Sequence, residues 1–187
     1  MHDTSPEVAD SDLLRRSAAG DPAALEAVLG RYWAAVVCYA ASLLGDSDQA
    51  EDAAQECFVR FWERRETWRI EGSLRGLLFQ IVRNLALDER RRVAARARAA
   101  DRADEARPPR TPEQETEAAE LRELISRALG ALPKRRREVF VLVRVHGLSH
   151  REVAELLDIA PQTVANHLGM ALAELRDALH GRASWTN

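Results

Sequence analysis

The sequence predicts an all-α protein with two small helical domains, an N-terminal four-helix bundle and a C-terminal helix-turn-helix domain, joined by a flexible linker. Ala, Leu, Arg and Glu dominate the 187 residues, and aromatic side chains make up only 5%, a mixture that favours helix over strand. Apolar residues recur at helical spacing along most of the chain. This pattern disappears between Ala99 and Thr111, where Pro108 and Pro109 interrupt any helix.

The N-terminal domain is expected to begin after an acidic, disordered tail, residues 1–12. A short helix over Leu13–Ala19 stops at Gly20. Asp21-Pro22 then supplies an N-cap and a first-turn proline for a long helix, which Gly45 ends. The apolar positions of this second helix follow the helical period: Leu25, Val28, Leu29, Tyr32, Val36, Ala40 and Leu43.

Two further helices complete the bundle, which spans residues 13–98. The third begins near Ser47 and is expected to bury Ala50, Ala53, Ala54, Cys57, Phe58 and Phe61. The fourth, capped by Ser73, is expected to bury Leu74, Leu77, Leu78, Ile81, Val82 and Leu85. It then enters a run of arginines that contains no acidic residue: Arg90, Arg91, Arg92, Arg96 and Arg98. Because the net charge of the chain is −3, a nucleic-acid contact must rest on such local clusters and not on the total charge.

The flexible linker is predicted over residues 99–112 and the C-terminal domain over residues 113–182. Helical spacing of apolar residues resumes at Glu113, and Leu132-Pro133 starts the next helix. A fully extended linker of this length spans on the order of 45 Å, enough to hold two domains apart on a larger surface.

A helix-turn-helix is predicted between Gly147 and Leu179. Gly147 closes one helix, and Ser149 and Glu152 form a capping box for the next. After a turn of three residues, Asp158-Ile159-Ala160, Pro161 opens a long helix whose apolar residues share one face. An ordinary antiparallel helix pair is the alternative, and the two caps and the apolar turn residue together favour the helix-turn-helix.

The sequence predicts neither a cofactor, a metal site nor an enzymatic site. Cys38 and Cys57 lie in apolar helical patterns without CxxC spacing, so both are expected to be buried, reduced thiols of a cytoplasmic protein. The histidines at 146, 150 and 167 are too scattered for a metal site. No nucleophile is paired with a base. The longest apolar stretch, Ala34 to Leu44, is shorter than the roughly 20 residues that span a bilayer.

Four segments resemble the extracytoplasmic-function (ECF) subfamily of bacterial RNA polymerase sigma factors. DSDQAEDAAQECFVRFWE resembles the second region of these proteins, and SLRGLLFQIVRNLALDERRR the segment that follows it. GLSHREVAELLDIAPQTVANHL resembles their fourth region, and ALPKRRREVFVLVRVHGLS precedes it as is usual in the family. The resemblance covers about Leu13 to Leu179 and implies a non-enzymatic subunit that carries RNA polymerase to chosen promoters.

The resemblance also implies partners and contact residues. The outward stripe of the third helix, which helical geometry alone predicts, is expected to bind the clamp helices of the largest polymerase subunit through Asp52, Gln55, Glu56, Val59 and Glu63. Contact with the −10 element is expected from Trp68, Arg69, Ser73, Arg83, Asn84, Arg90, Arg91 and Arg92. The flap of the second-largest subunit, promoter DNA and an anti-sigma factor are the other expected partners.

Contact with the −35 element is assigned to the helix after Pro161 and its surroundings. With one face of this helix buried, base reading is expected to centre on Gln162 and Asn166, whose amides suit adenine. The full predicted set is Arg135, Arg136, Ser149, Arg151, Gln162, Thr163, Asn166, His167 and Met170. Phosphate contacts are expected from the three arginines in this set and from the N-terminus of the helix.

The chain departs from the family pattern at several positions. Leu77 stands where the family commonly has Trp, and Gln80 where a basic residue is common. The −35 helix has no Arg or Lys between Arg151 and Arg176, although the family commonly has several there. Two alternatives stay open, a response-regulator-type transcription factor and a helical adaptor that binds no DNA. The first of these normally requires an α/β partner domain, and the first hundred residues show no strand pattern.

Overall fold

A computed structural model describes residues 9–68, 73–99 and 127–183, and these ranges contain helices and turns but no strand. The chain divides into two compact units, residues 1–98 and residues 99–187. The predicted all-α class is therefore confirmed. Most of the predicted tail and linker, residues 1–8 and 100–112, lies outside the described residues.

The described residues of the N-terminal unit form four helices: α1 (Asp10–Ala18), α2 (Pro22–Leu44), α3 (Ser47–Glu63) and α4 (Leu74–Ala99). Helix α1 begins at Asp10, earlier than the predicted Leu13. The Asp10 carboxylate accepts hydrogen bonds from Arg31 at 2.9 Å and from the Tyr32 hydroxyl at 2.5 Å. These contacts hold the start of α1 against α2, because Arg31 and Tyr32 both lie on α2.

The ends of α2 have the predicted caps. The Asp21 side chain accepts a hydrogen bond from the Ala23 amide at 3.0 Å, with Pro22 in the first turn. A hydrogen bond from Arg16 lowers the pKa of Asp21. At the other end Gly45 adopts the left-handed conformation, with φ of 77°.

The core of this unit lies between α2, α3 and α4. The rings of Tyr39 and Phe79 lie 4.9 Å apart, and the Cys57 thiol donates to the Leu78 carbonyl at 3.4 Å. Phe79 and Ala86 are buried although the sequence pattern did not mark them, whereas Leu77 and Leu85 are only half-buried. The Tyr39 ring packs against one side of α4, and the buried face of that helix is turned toward it.

The two cysteines have different surroundings. Cys57 is buried as predicted, and burial raises the pKa of its thiol to about 12. The prediction for Cys38 is wrong, because this residue is exposed. It follows the buried Val36 by about 200° around α2, so it lies on the side of the helix away from the core.

Helix α2 is also long and apolar enough to cross a membrane by length and composition, with a mean hydropathy of 1.5 over its most apolar stretch. One side of it is nevertheless occupied by the bundle, through Val28, Tyr32, Val36, Tyr39 and Ala40. Core helices of folded domains meet the same criterion, so the composition of α2 does not make it a membrane span.

The C-terminal unit contains residues 127–131 as a helical turn, then α5 (Lys134–Phe140), a π-helical turn (Val141–Val145), α6 (His150–Leu157) and α7 (Pro161–Ala183). Helix α7 packs against both α5 and α6. The π-turn was not predicted. It ends in hydrogen bonds from the His146 amide to Val141 and from the Leu148 amide to Leu142, both 3.0 Å.

Candidate functional site

One face of α3 is buried and the opposite face is open. Ala50, Ala54, Cys57, Phe58 and Phe61 lie in the core. The opposite face carries all five predicted residues in exposed positions: Asp52, Gln55, Glu56, Val59 and Glu63. The Val59 side chain is 48% exposed, and the Glu56 carboxylate accepts a hydrogen bond from Arg60 at 2.7 Å. The result is an acidic surface with an apolar residue at its centre.

A tryptophan that the sequence analysis did not mark supports α3 from behind. The Trp33 ring of α2 stacks on Phe58 with 5.8 Å between centroids and 26° between planes. Because Phe58 is a buried residue next to the exposed Val59, this stacking packs α3 against α2 below its outward face.

Two of the residues predicted to contact the −10 element flank the segment 69–72. The Trp68 indole donates to the Phe61 carbonyl at 2.9 Å, which ties Trp68 to the last turns of α3. Ser73 Oγ accepts from the Gly76 amide at 3.0 Å, so this side chain caps α4. Arg69 lies outside the described residues.

A second group near this segment was missed from the sequence. The Arg75 guanidinium lies over the Tyr32 ring, 5.7 Å from its centroid. Burial, followed by the hydrogen bond to Asp10, raises the pKa of Tyr32 to about 12. Asp10, Tyr32 and Arg75 together connect α1, α2 and the first turn of α4. Tyr32 and Arg75 belong to helices that are distant in sequence.

The second half of α4 lies outside the core as far as its side chains are described. Ala86 is the last buried residue described on this helix, and no side chain from residue 87 to Arg96 is buried. We call residues 87–99 the α4 arm. Arg91 pairs with Asp88 at 3.0 Å and Arg92 with Glu89 at 3.3 Å, both exposed pairs within the helix.

The other predicted −10 residues on α4 include Asn84 and Arg90, which are exposed, and Arg83, which is half-buried. They continue toward the α4 arm on the same helix. A basic, solvent-facing helix of this kind suits phosphate contacts.

The C-terminal unit confirms the predicted helix-turn-helix. The Glu152 amide donates to Ser149 Oγ at 3.2 Å, and the Ser149 amide donates to Glu152 Oε2 at 2.8 Å, which completes the capping box of α6. Asp158 turns the chain in the left-handed conformation with φ of 53°. The Ile159 amide then donates to the Ala154 carbonyl at 3.0 Å, which closes the turn before α7.

The outward face of α7 has the composition that the sequence predicted. Val164, Leu168 and Ala171 are buried. On the open side Gln162, Asn166, Gly169 and Met170 are exposed, with Thr163 and His167 half-buried at the edges. Gln162 Nε2 donates to Asn166 Oδ1 at 3.1 Å, so the two amides form one linked unit.

The three predicted phosphate-binding arginines are in different situations. Arg135 donates to the Leu157 carbonyl at 2.5 Å and pairs with Glu138 at 3.3 Å, and Arg136 forms an ion pair with Glu174 of α7. These two arginines therefore hold α5 against α6 and α7. Arg151 pairs within α6, with Glu155 at 3.0 Å, and its side chain is 83% exposed.

Metal ligands do not gather in the described ranges. No group of three or more His, Cys, Asp and Glu side chains comes together there, and none of the three histidines named above belongs to such a group.

Comparison with known proteins matches both units. The family model described as Sigma-70 region 2 matches residues 29–96, and that described as Sigma-70, region 4 matches residues 122–175. The ECF RNA polymerase sigma factor SigL of Mycobacterium tuberculosis is 33% identical over 161 residues, which cover 86% of this chain and 91% of SigL. The RNA polymerase sigma factor CnrH of Cupriavidus metallidurans is 28% identical over 180 residues, 91% of this chain and 94% of CnrH.

Solved structures give the same match. CnrH in complex with the cytosolic domain of CnrY has a TM-score of 0.67 at 26% identity, covering 92% of this chain and 97% of CnrH. RpoE of Bartonella quintana, in complex with the anti-sigma factor NepR, has a TM-score of 0.69 at 23% identity, covering 83% of this chain and 96% of RpoE, and supports the fold alone.

Proposed function

Because this chain belongs to the ECF subfamily of bacterial RNA polymerase sigma factors, we propose that its two helical units divide promoter recognition between them. The chain directs core RNA polymerase to specific promoters and initiates transcription. The observation that carries this function is the presence of both sigma regions, in order, on one chain. A response-regulator-type transcription factor is not favoured, because the N-terminal unit is a sigma region 2 bundle and not an α/β receiver.

The outward face of α3 is the proposed contact with core polymerase. An exposed acidic stripe around Val59 suits a basic helical surface, and the clamp helices of the largest subunit are the proposed partner. The stacked pair Trp33 and Phe58 supports this assignment, since it packs α3 against α2 and leaves the outward face of α3 open.

The N-terminal unit is also proposed to bind and open the −10 element. In this assignment the segment after Trp68 captures an unpaired base, and the side chains of Arg83, Asn84 and Arg90 face the DNA. Ser73 acts in this assignment mainly as the cap of α4. Arg75, in the first turn of α4, is added to the proposed set because it follows the segment closely in sequence.

The C-terminal unit is proposed to read the −35 element through α7. Exposed Gln162 and Asn166 supply the base contacts, and Arg151 is the principal phosphate contact because its side chain is the most exposed of the three predicted arginines. Arg135 and Arg136 act instead within the fold. The flap of the second-largest subunit is a further proposed partner of this unit.

An anti-sigma factor is a proposed regulator of the chain. CnrH, which is similar over nearly its whole length, was solved in complex with the cytosolic domain of CnrY. We further propose that the chain is a non-enzymatic initiation factor that acts in the cytoplasm.

Transcription with purified components tests this function. The chain is added to core polymerase on genomic DNA of the host, and the 5′ ends of the transcripts are mapped. We expect starts that share one two-part consensus upstream. A transcription factor or a helical adaptor, in contrast, gives no promoter-specific initiation with core polymerase alone, and that result would contradict the proposal.

A further inference from the structure

The outward ridge of α7 changes character after its second turn. Gln162 and Asn166 form its polar first part, and the next outward positions are Gly169 and Ala173. A Cβ placed on Gly169 would meet nothing within 4 Å, so the space in front of the helix is open there. Beside this gap stands Met170, a large apolar side chain that is 47% exposed.

The chemistry of this second part is apolar and uncharged. No Lys or Arg lies on α7 before Arg176. No such side chain of this helix therefore stands beside Met170 to bind a DNA phosphate. In the major groove, the apolar group that a base presents is the C5-methyl of thymine. Methionine is flexible and polarizable, and the missing side chain at Gly169 leaves room for a base edge to come close.

We infer that Met170 is a specificity-determining residue that selects thymine in the −35 element through its C5-methyl group. The inference rests on the proposed function, in which α7 lies in the major groove. Met170 follows Asn166 by one turn, or about 6 Å along the axis, which is close to two base steps. The hydrogen bond between Gln162 and Asn166 fixes which base pair the two amides read. The thymine should therefore lie a constant number of base pairs from that position.

The test combines a protein variant with a DNA variant that differs by one methyl group. The −35 preference of the wild-type holoenzyme is first determined with a promoter library. Each thymine of the preferred −35 element, on either strand, is then replaced by deoxyuridine, and holoenzyme affinity is measured for wild type, Met170→Ala, Met170→Leu and Val145→Ala. Val145 is the matched control, because it is another exposed apolar residue of the same unit, 57% exposed, and it lies outside α7.

At one position, deoxyuridine should lower the affinity of wild type and of Val145→Ala by about fourfold, the effect expected for burying one methyl group. The same replacement should leave Met170→Ala unchanged, and Met170→Leu should keep most of the discrimination. Equal deoxyuridine effects in wild type and Met170→Ala overturn the inference.

A loss of affinity in Met170→Ala that is the same for every DNA, or that appears with core polymerase alone, also overturns the inference and assigns Met170 to a protein contact. Failure of the proposed function looks different. In that case, randomising the whole −35 element leaves wild-type affinity unchanged, and the thymine inference falls with it.

Discussion

The Arg135 guanidinium lies at the C-terminal end of α6. It donates to the carbonyl of Leu157, the last residue of that helix, and pairs with Glu138 of its own helix. The last carbonyls of a helix lack intrahelical partners and carry partial negative charge, so a cation placed there stabilises the helix end. Arg135 thereby holds the first helix of the helix-turn-helix in position for α7.

Replacing Arg135 with Gln should destabilise the protein. A hydrogen bond to a charged group contributes about 1.5–3 kcal/mol, so we expect the free energy of unfolding to fall by about 2 kcal/mol. Urea unfolding followed by circular dichroism measures this change. Arg151→Gln is the matched control, because its exposed pair with Glu155 should contribute less than about 1 kcal/mol. Equal losses in the two variants would show that Arg135 does not support α6.

At the scale of the element, α3 separates two tasks on its two faces. The buried face packs in the bundle, and the outward face carries the exposed pair between Glu56 and Arg60, which lies within α3 itself. Charge on the outward face can therefore be changed with little effect on the fold.

The double change of Asp52 and Glu56 to Arg should abolish co-purification with core polymerase. Like charges would then face the basic partner surface, while the helical circular dichroism stays the same because both residues are exposed. Glu26→Arg is the control, since Glu26 is an exposed acidic residue of α2 outside the stripe. If the double variant still co-purifies with the core enzyme, α3 is not the contact.

Helix ends and faces are largely predictable from this sequence, because their causes are local. The caps at Asp21, Gly45 and Ser149 act on backbone groups within a few residues. The burial of Phe79 was not predictable, because the Tyr39 ring that covers it belongs to another helix.

The candidate site follows the same rule. The open faces of α3 and α7 follow from helical periodicity alone. The contacts that Arg135 and Arg136 make within the fold do not follow from periodicity. Arg135 binds a carbonyl 22 residues away, and Arg136 binds a carboxylate 38 residues away. The π-turn has no local signal in its mostly apolar residues, Val141–Val145.

At the scale of the whole molecule, the chain divides into two compact units between Arg98 and Ala99. The sequence predicts a tether over residues 99–112, and we propose that the units are separable domains. Brief trypsin treatment should cleave first at Arg102 or Arg110, because Pro108 protects the bond after Arg107, and leave two helical fragments, identified by mass spectrometry. First cleavage between Val139 and Leu175 would contradict this division.

The uncharged outward ridge of α7 has a consequence for the response of promoters to ionic strength. Proteins that neutralise DNA phosphates release counterions, and their affinity falls steeply as salt rises. On the proposed contacts, the arginines of the α4 arm behave in this way, whereas the amide and methionine contacts of α7 release few counterions. Arg151 is the principal phosphate contact proposed on the −35 side, against several arginines on the −10 side. Rising salt should therefore weaken the −10 side of the complex more than the −35 side. We expect transcription at raised salt to shift toward promoters whose −35 element matches α7 best, as in vitro transcription at increasing salt concentration would show.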